Sequence, residues 1–185
     1  SSSNNLEHSV KELNFSLLWT QKVQMLGVKS FVRTQFINDD ERWAMKTGLD
    51  IIGNSYLKEK KINLEKVDLV FCGYGVYAPE YGWNDFKNID IKGKVVVVLV
   101  NDPPIKNGNN YDSNMFKGSA MTYYGRWSYK YEEALRRGAA GAIVIHETGP
   151  AGYPFSVLQS GHDSEHLTIE NKNALKFEGW IPTDT

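Results

Sequence analysis

Lys94-Val95-Val96-Val97-Val98-Leu99-Val100-Asn101-Asp102-Pro103-Pro104 contains five valines and one leucine with no polar residue between them. A strand with one wet face alternates apolar and polar side chains, whereas a strand covered on both faces needs no polar positions. The run therefore reads as a central strand buried on both sides. It stops at the paired prolines, which lack the backbone donor a central strand requires. Residues 105–118 are rich in Asn, Gly and Asp and read as a surface loop.

The next periodic segment is residues 126–137. Trp127, Tyr131, Ala134 and Leu135 fall at i, i+4, i+7 and i+8, an apolar helical stripe that turns Trp127 and Tyr131 inward. Arg136 and Arg137 stand in the last turn, where cations complement the helix dipole, and Gly138 suits the position just past the end. Ala142-Ile143-Val144-Ile145-His146 is a second buried strand. Strand, loop, helix, glycine stop and strand make a βαβ crossover, which predicts parallel strands and a right-handed connection.

Outward from this unit the pattern weakens. Residues 67–71 read as a short strand ended by Gly73 and Gly75, and residues 76–83 as an aromatic-rich loop. Asn84-Asp85-Phe86 starts a helical turn, and residues 90–94 form the turn feeding the central strand. Toward the N-terminus, Leu13, Phe15 and Leu17 alternate, and Val23, Met25, Val28 and Phe31 predict extended structure with a turn at Gly27. Residues 40–46 read as a loop or short helix. Past Thr148, residues 149–165 are loop-like, with Leu167-Thr168-Ile169 and residues 177–181 as edge strands. The fold class expected is α+β or α/β, a mixed β-sheet module with a βαβ crossover and a few flanking helices. Residues 1–66 form a weakly patterned lead in the same module, residues 67–181 its core, and residues 182–185 the start of a linker.

Composition excludes several functions. The 185 residues are 41% hydrophobic and 23% charged, with a net charge of −1, which describes a globular chain. No face is dominated by Lys and Arg, so nucleic acid is not an expected partner; the run Lys58-Glu59-Lys60-Lys61 is too short to be more than a solvated turn. No apolar run approaches the ~20 residues that span a bilayer, and no basic segment followed by an apolar one marks a signal peptide. The lone cysteine, Cys72, lies in an apolar run and reads as a small buried hydrophobe, not a nucleophile.

Three motifs bear on chemistry. Gly73-Tyr74-Gly75 follows a strand as a dinucleotide fingerprint does, but Pro79 follows where a phosphate-binding helix should start, so nucleotide binding is not expected. His162 and His166 stand at i and i+4, the spacing at which a helix brings two imidazoles to one metal. A zinc-protease helix places Glu directly after the first His, whereas here Asp163 does so and Glu165 is displaced; a solvated polar loop is the expected reading, and a metal pair the alternative. His146-Glu147 at a strand end reads as a capped strand exit, with catalysis as the rival, because ligands gather at carboxyl ends of parallel strands. Tyr123-Tyr124-Gly125-Arg126-Trp127 concentrates the residue types enriched at interfaces.

Taken in order, these blocks resemble a protease-associated domain, and more narrowly the version inserted in bacterial zinc aminopeptidases related to leucyl aminopeptidase and glutamate carboxypeptidase. The resemblance is carried by Phe71-Cys72-Gly73-Tyr74-Gly75-Val76-Tyr77-Ala78-Pro79-Glu80-Tyr81, Trp83-Asn84-Asp85-Phe86, and Asp90-Ile91-Lys92-Gly93-Lys94 with the valine run. It continues in Met121-Thr122-Tyr123-Tyr124-Gly125-Arg126-Trp127, Tyr131-Glu132-Glu133-Ala134, Arg137-Gly138-Ala139-Ala140-Gly141-Ala142 and Phe177-Glu178-Gly179-Trp180-Ile181. It covers roughly residues 67–181.

The resemblance implies a non-catalytic accessory module that covers the active-site cleft of its parent peptidase or helps select substrate. It implies an extracytoplasmic location, periplasmic or secreted. It implies two zinc ions in the parent's catalytic domain and no cofactor in this chain, whose residues offer no equivalent of that family's His-x-Asp ligand segment or Glu-Glu base segment. Glu132-Glu133 belongs to the crossover helix. No catalytic residue is expected here. The surface meeting the catalytic domain of the same polypeptide, or a peptide substrate, is expected at Tyr81, Trp83, Tyr123, Tyr124 and Arg126. Two rivals stand beside this reading: a stand-alone peptide- or protein-binding module, and a small zinc hydrolase using His162, His166 and Glu165 or Glu147.

Overall fold

The structure, a computed structural model, describes residues 13–24, 27–38, 41–57, 59, 61–162 and 173–183. Among the described residues twelve strands run in chain order: β1 Leu13–Gln24, β2 Gly27–Asn38, β3 Glu41–Lys46, β4 Ile52–Asn54, β5 Lys61–Phe71, β6 Tyr77–Ala78, β7 Trp83–Asn84, β8 Val95–Leu99, β9 Lys106–Asn107, β10 Asn110–Tyr111, β11 Gly141–His146 and β12 Phe177–Pro182. Three α-helices, α1 Trp127–Arg136, α2 Thr148–Ala151 and α3 Ser156–Gly161, and a single 3-10 turn at Pro79–Tyr81 complete a mixed α+β fold among the described residues.

Eight strands form one sheet in the order β3-β2-β1-β5-β8-β11-β12-β4. Its middle, β5-β8-β11-β12, is parallel throughout. The antiparallel meander β1–β3 extends one side, and β4 pairs antiparallel with β12 at the other edge. The expected crossover is present: β8, α1 and β11, with β8 and β11 as parallel neighbours pairing Val95 with Gly141 through Leu99 with Ile145. The valine run is central as read. Its side chains alternate between two cores, Val96 and Val98 facing α1 beside Val144 and Trp180, and Val95 facing the opposite layer beside Ile143 and Phe177. Gly138 adopts φ 78° and closes the helix.

Several expectations are corrected. Residues 41–46 form strand β3 instead of a helix, because β2 takes up their backbone groups from the Asn38–Glu41 pair to the Arg33–Lys46 pair. Residues 177–181 are not an edge strand: β12 lies between β11 and β4. The strand entered at residue 67 starts at Lys61, so the sheet runs unbroken across the 66/67 boundary. The stretch after Thr148 holds α2 and α3, with Pro150 in the first turn of α2, where its missing N–H has no intrahelical acceptor to lose. Within residues 105–118 a small β9–β10 hairpin forms, and Phe116 is fully buried. Leu167-Thr168-Ile169 lies outside the described residues.

The glycine pair Gly53–Gly179 shows how tightly the β12–β4 edge is packed. The two face each other across the ladder, and a Cβ on either would stand 2.5 Å from the ring of fully buried Phe177. The Phe177 ring occupies the space that a side chain at either position would need.

Candidate functional site

The loop between β8 and α1 gathers the residues singled out above. Asp102, 5% exposed at the end of β8, accepts hydrogen bonds from the Thr122 N–H at 2.6 Å and the Thr122 hydroxyl at 2.8 Å. The Asn101 N–H donates to the Gly125 carbonyl at 3.0 Å, and a Cβ on Gly125 would stand 2.9 Å from the Asp102 nitrogen. These contacts stitch the loop's return to the strand end and set Arg126 and Trp127 at the start of α1. Arg126 provides no side-chain cap to the helix.

The five predicted contact residues are divided by the structure. Tyr81, Trp83 and Tyr124 pack around Phe116, with ring centroids 4.6, 6.0 and 6.0 Å from it. The Tyr124 hydroxyl donates to Glu80 at 2.6 Å, which with some burial pushes its pKa up to about 12. These three are largely an internal aromatic shell. Tyr123 lies outside it, 51% exposed, its hydroxyl donating to Glu132 at 2.5 Å. Arg126 is exposed and lines a concavity of about 340 Å³ with Met121, Trp127 and Tyr153. Trp127 was expected inward; it is 46% exposed because it opens α1 at the rim of the sheet, whereas Tyr131, one turn on, is buried and donates its hydroxyl to the Gly179 carbonyl at 2.8 Å. Met121, Tyr123, Arg126 and Trp127 thus share one short surface segment at the carboxyl ends of β8 and β11.

Two buried ions on α1 escaped the sequence reading. Lys130 is 2% exposed; its ammonium donates to the Tyr74 carbonyl at 2.6 Å and the Asn101 carbonyl at 2.9 Å, tying the turn after β5 to the end of β8. Burial lowers its pKa to about 7 against the opposing pull of Asp102 and Asp85. Asp85 in turn accepts from the Val76 N–H at 3.0 Å, and burial raises its pKa. Glu133, also 2% exposed, is held by Arg137 at 2.6 Å and by Arg136. The Glu133–Arg136–Arg137 spacing of i, i+3 and i+4 was the signal available for that cluster. Nothing comparable marks Lys130, whose partners are backbone carbonyls.

His146 is 2% exposed, with the rings of Tyr153, Phe155 and Trp180 packed 5.4 to 5.9 Å from its own. Burial lowers its pKa, and its Nε2 has no hydrogen-bond partner among the described residues. Cys72 is buried, and desolvation foremost pushes its thiol up to about 12, so almost no thiolate is available at neutral pH. His162 lines a second cavity, on the other side of Trp127, together with Glu178 and Trp180. His166 and Glu165 lie outside the described residues. Among the described residues no group of three or more His, Cys, Asp and Glu side chains is assembled that could hold a metal ion, and no helix is long and apolar enough to cross a membrane.

No family model matches this chain, and no curated protein matches it significantly.

Proposed function

We propose that this chain is a non-catalytic protease-associated domain of a zinc aminopeptidase, working outside the cytoplasm and docking on the catalytic domain of the same polypeptide. The sequence blocks quoted above support the family. The observation that carries the docking role is the segment Met121–Tyr123–Arg126–Trp127: three apolar side chains 38%, 51% and 46% exposed around a guanidinium, on a loop pinned by Asp102 and Thr122. Aromatic and Arg side chains on a preorganised support lose little entropy on binding and dominate interface energetics. The two zinc ions and the peptide-cleaving groups belong, in this reading, to the catalytic domain, and the module narrows its cleft or orients peptide there.

The test is kinetic. In the parent enzyme, replacing Trp127 and Tyr123 together by Ala should raise KM for peptides about tenfold with the zinc content unchanged. Unchanged kcat/KM across a peptide panel removes the docking role. Measurement of zinc on the isolated chain, with a leucyl chromogenic substrate, addresses the hydrolase rival: stoichiometric metal with turnover overturns the proposal.

A further inference from the structure

The edge of the sheet at β4 and β12 forms the floor of a cavity of about 250 Å³. Glu178 pairs directly with Asn54 across the ladder and Trp180 with Ile52, and all four line the cavity. Residues two apart on a strand share a face, so Glu178 and Trp180 point to the same side, toward α1. Trp127 and Tyr131 add a wall from the first turns of α1, and α3 adds Val157 and Leu158. The Trp127 ring centroid lies 5.9 Å from that of Tyr131 and 6.5 Å from that of Trp180, with the planes inclined by 62° and 61°. The rings are angled walls, not a closed stack.

A carboxylate sits among these rings. No cation among the described residues is paired with Glu178, and its charge reaches both phenols of the cavity, Tyr56 and Tyr131. Burial alone raises its pKa to about 7. Glu178 is partly buried, and the two fully buried carboxylates among the described residues contrast with it: Asp102 has Thr122, and Glu133 has two arginines. An aromatic enclosure with one uncompensated carboxylate is complementary to an organic cation, which gains from the ring quadrupoles and from the countercharge together. The amide of Asn54 opposite Glu178 adds an acceptor, which favours a cation carrying N–H donors over a quaternary one.

We propose that this cavity binds a primary alkylammonium group presented by a peptide, with Trp127, Tyr131 and Trp180 as its walls and Glu178 as its counterion. Such a group is either an N-terminal α-amine or a lysine side chain. The site is separate from the Met121–Tyr123–Arg126 face, although Trp127 borders both, and it does not depend on the chain belonging to a peptidase.

The test is a titration of the whole chain at about pH 8, followed by tryptophan indole NMR signals. There Glu178 is ionised, butylammonium and the lysine ammonium keep their charge, and the affinity of leucinamide is referred to its protonated fraction, about half. The probes are n-butylammonium, Nα-acetyl-lysinamide, leucinamide, tetramethylammonium and the neutral N-acetyl-leucinamide. Saturable shifts at Trp127 and Trp180 are expected with n-butylammonium, and about tenfold weaker binding in Glu178→Gln and in Trp127→Ala, each verified as folded by circular dichroism. Binding of the lysinamide assigns the lysine source, binding of leucinamide assigns the N-terminal amine, and either upholds the site. Three outcomes overturn it: no saturable shift with butylammonium, unweakened binding in Glu178→Gln, or neutral amide or tetramethylammonium binding as tightly as the primary amines.

Discussion

Helix α1 separates two buried charges that the fold treats in opposite ways. On one flank Lys130 is wrapped by the ends of β5 and β8, with two carbonyls at 2.6 and 2.9 Å and two carboxylates near enough to oppose its desolvation. On the other flank, past Tyr131, Glu178 stands in an aromatic cavity with no cation among the described residues beside it. Both ions are costly to bury. In the first case bonds that join two strand ends offset part of that cost, although burial still lowers the pKa to about 7, and the ammonium serves architecture. In the second no compensating bond is made within the described residues, and a ligand of opposite charge would supply one. A fully buried ion with several partners and a partly buried one without a counterion among the described residues therefore point to different roles.

The sharpest break of this comparison is Lys130→Met. It leaves the Tyr74 and Asn101 carbonyls without their donor and removes the cation facing Asp85 and Asp102. A loss of about 3 kcal/mol in urea unfolding is expected. The loss should grow with pH from about 7 toward 10.5: the native lysine releases its proton near 7 while the unfolded one holds it to 10.5, so in that window this group adds stability as pH rises. A variant as stable as the parent would show that the tether between β5 and β8 is dispensable.

Next in size is Gly179→Ala, which tests the floor of the Glu178 cavity. The added Cβ would stand 2.5 Å from the Phe177 ring, which is fully buried. Overpacking should cost about 2 kcal/mol, read as a lower denaturant midpoint. A neutral result would mean that the β12–β4 edge can open, and the cavity with it.

Glu178→Gln should have the opposite sign. The native carboxyl keeps its proton to about 7 and the unfolded one only to 4.5, so this group's contribution falls as pH rises between those values and stays low above. The Gln variant removes that slope. It should be more stable than the parent by about 1 kcal/mol above pH 7, after allowance for partial exposure, and no different below 4.5. Equal stability at all pH values would mean that the fold does not penalise the Glu178 carboxylate.

The two flanks also differ in how much of them the sequence reveals. The β8–α1–β11 unit follows from the unbroken valine run, the stripe of Tyr131 and Ala134, and Gly138, because burial on both faces and helical period leave direct marks on residue type. Lys130 could not be found that way: a lysine between two tyrosines reads as solvent-facing, and its acceptors are backbone carbonyls that carry no residue signature. The β12–β4 pair was equally hidden, since which strand lies beside another is decided by contacts far apart in sequence, and Ile52-Gly53-Asn54 is too short to announce itself. Strand β3 shows the same override, a polar-looking start drawn into a ladder by its neighbour. Of the predicted contact residues, Tyr123 and Arg126 are exposed as their loop position suggests, whereas Tyr81, Trp83 and Tyr124 were captured by Phe116, an apolar residue in a loop rich in Asn, Gly and Asp.

The smallest stability effect belongs to Trp127→Ala, and its smallness is informative. Trp127 borders both the Arg126 concavity and the Glu178 cavity, is 46% exposed, and meets the rings of Tyr131 and Trp180 edge-on. Removing it should cost about 1 kcal/mol in urea unfolding, because nearly half of its surface stays in water and its loss at the surface leaves no closed cavity. A core tryptophan would cost about three times as much. A large residue with nearly half of its surface in water, placed where two concavities meet, is open to a ligand on either side. A loss near the core value would instead mean that Trp127 closes the layer between α1 and β12, and that the cavity wall is part of the core.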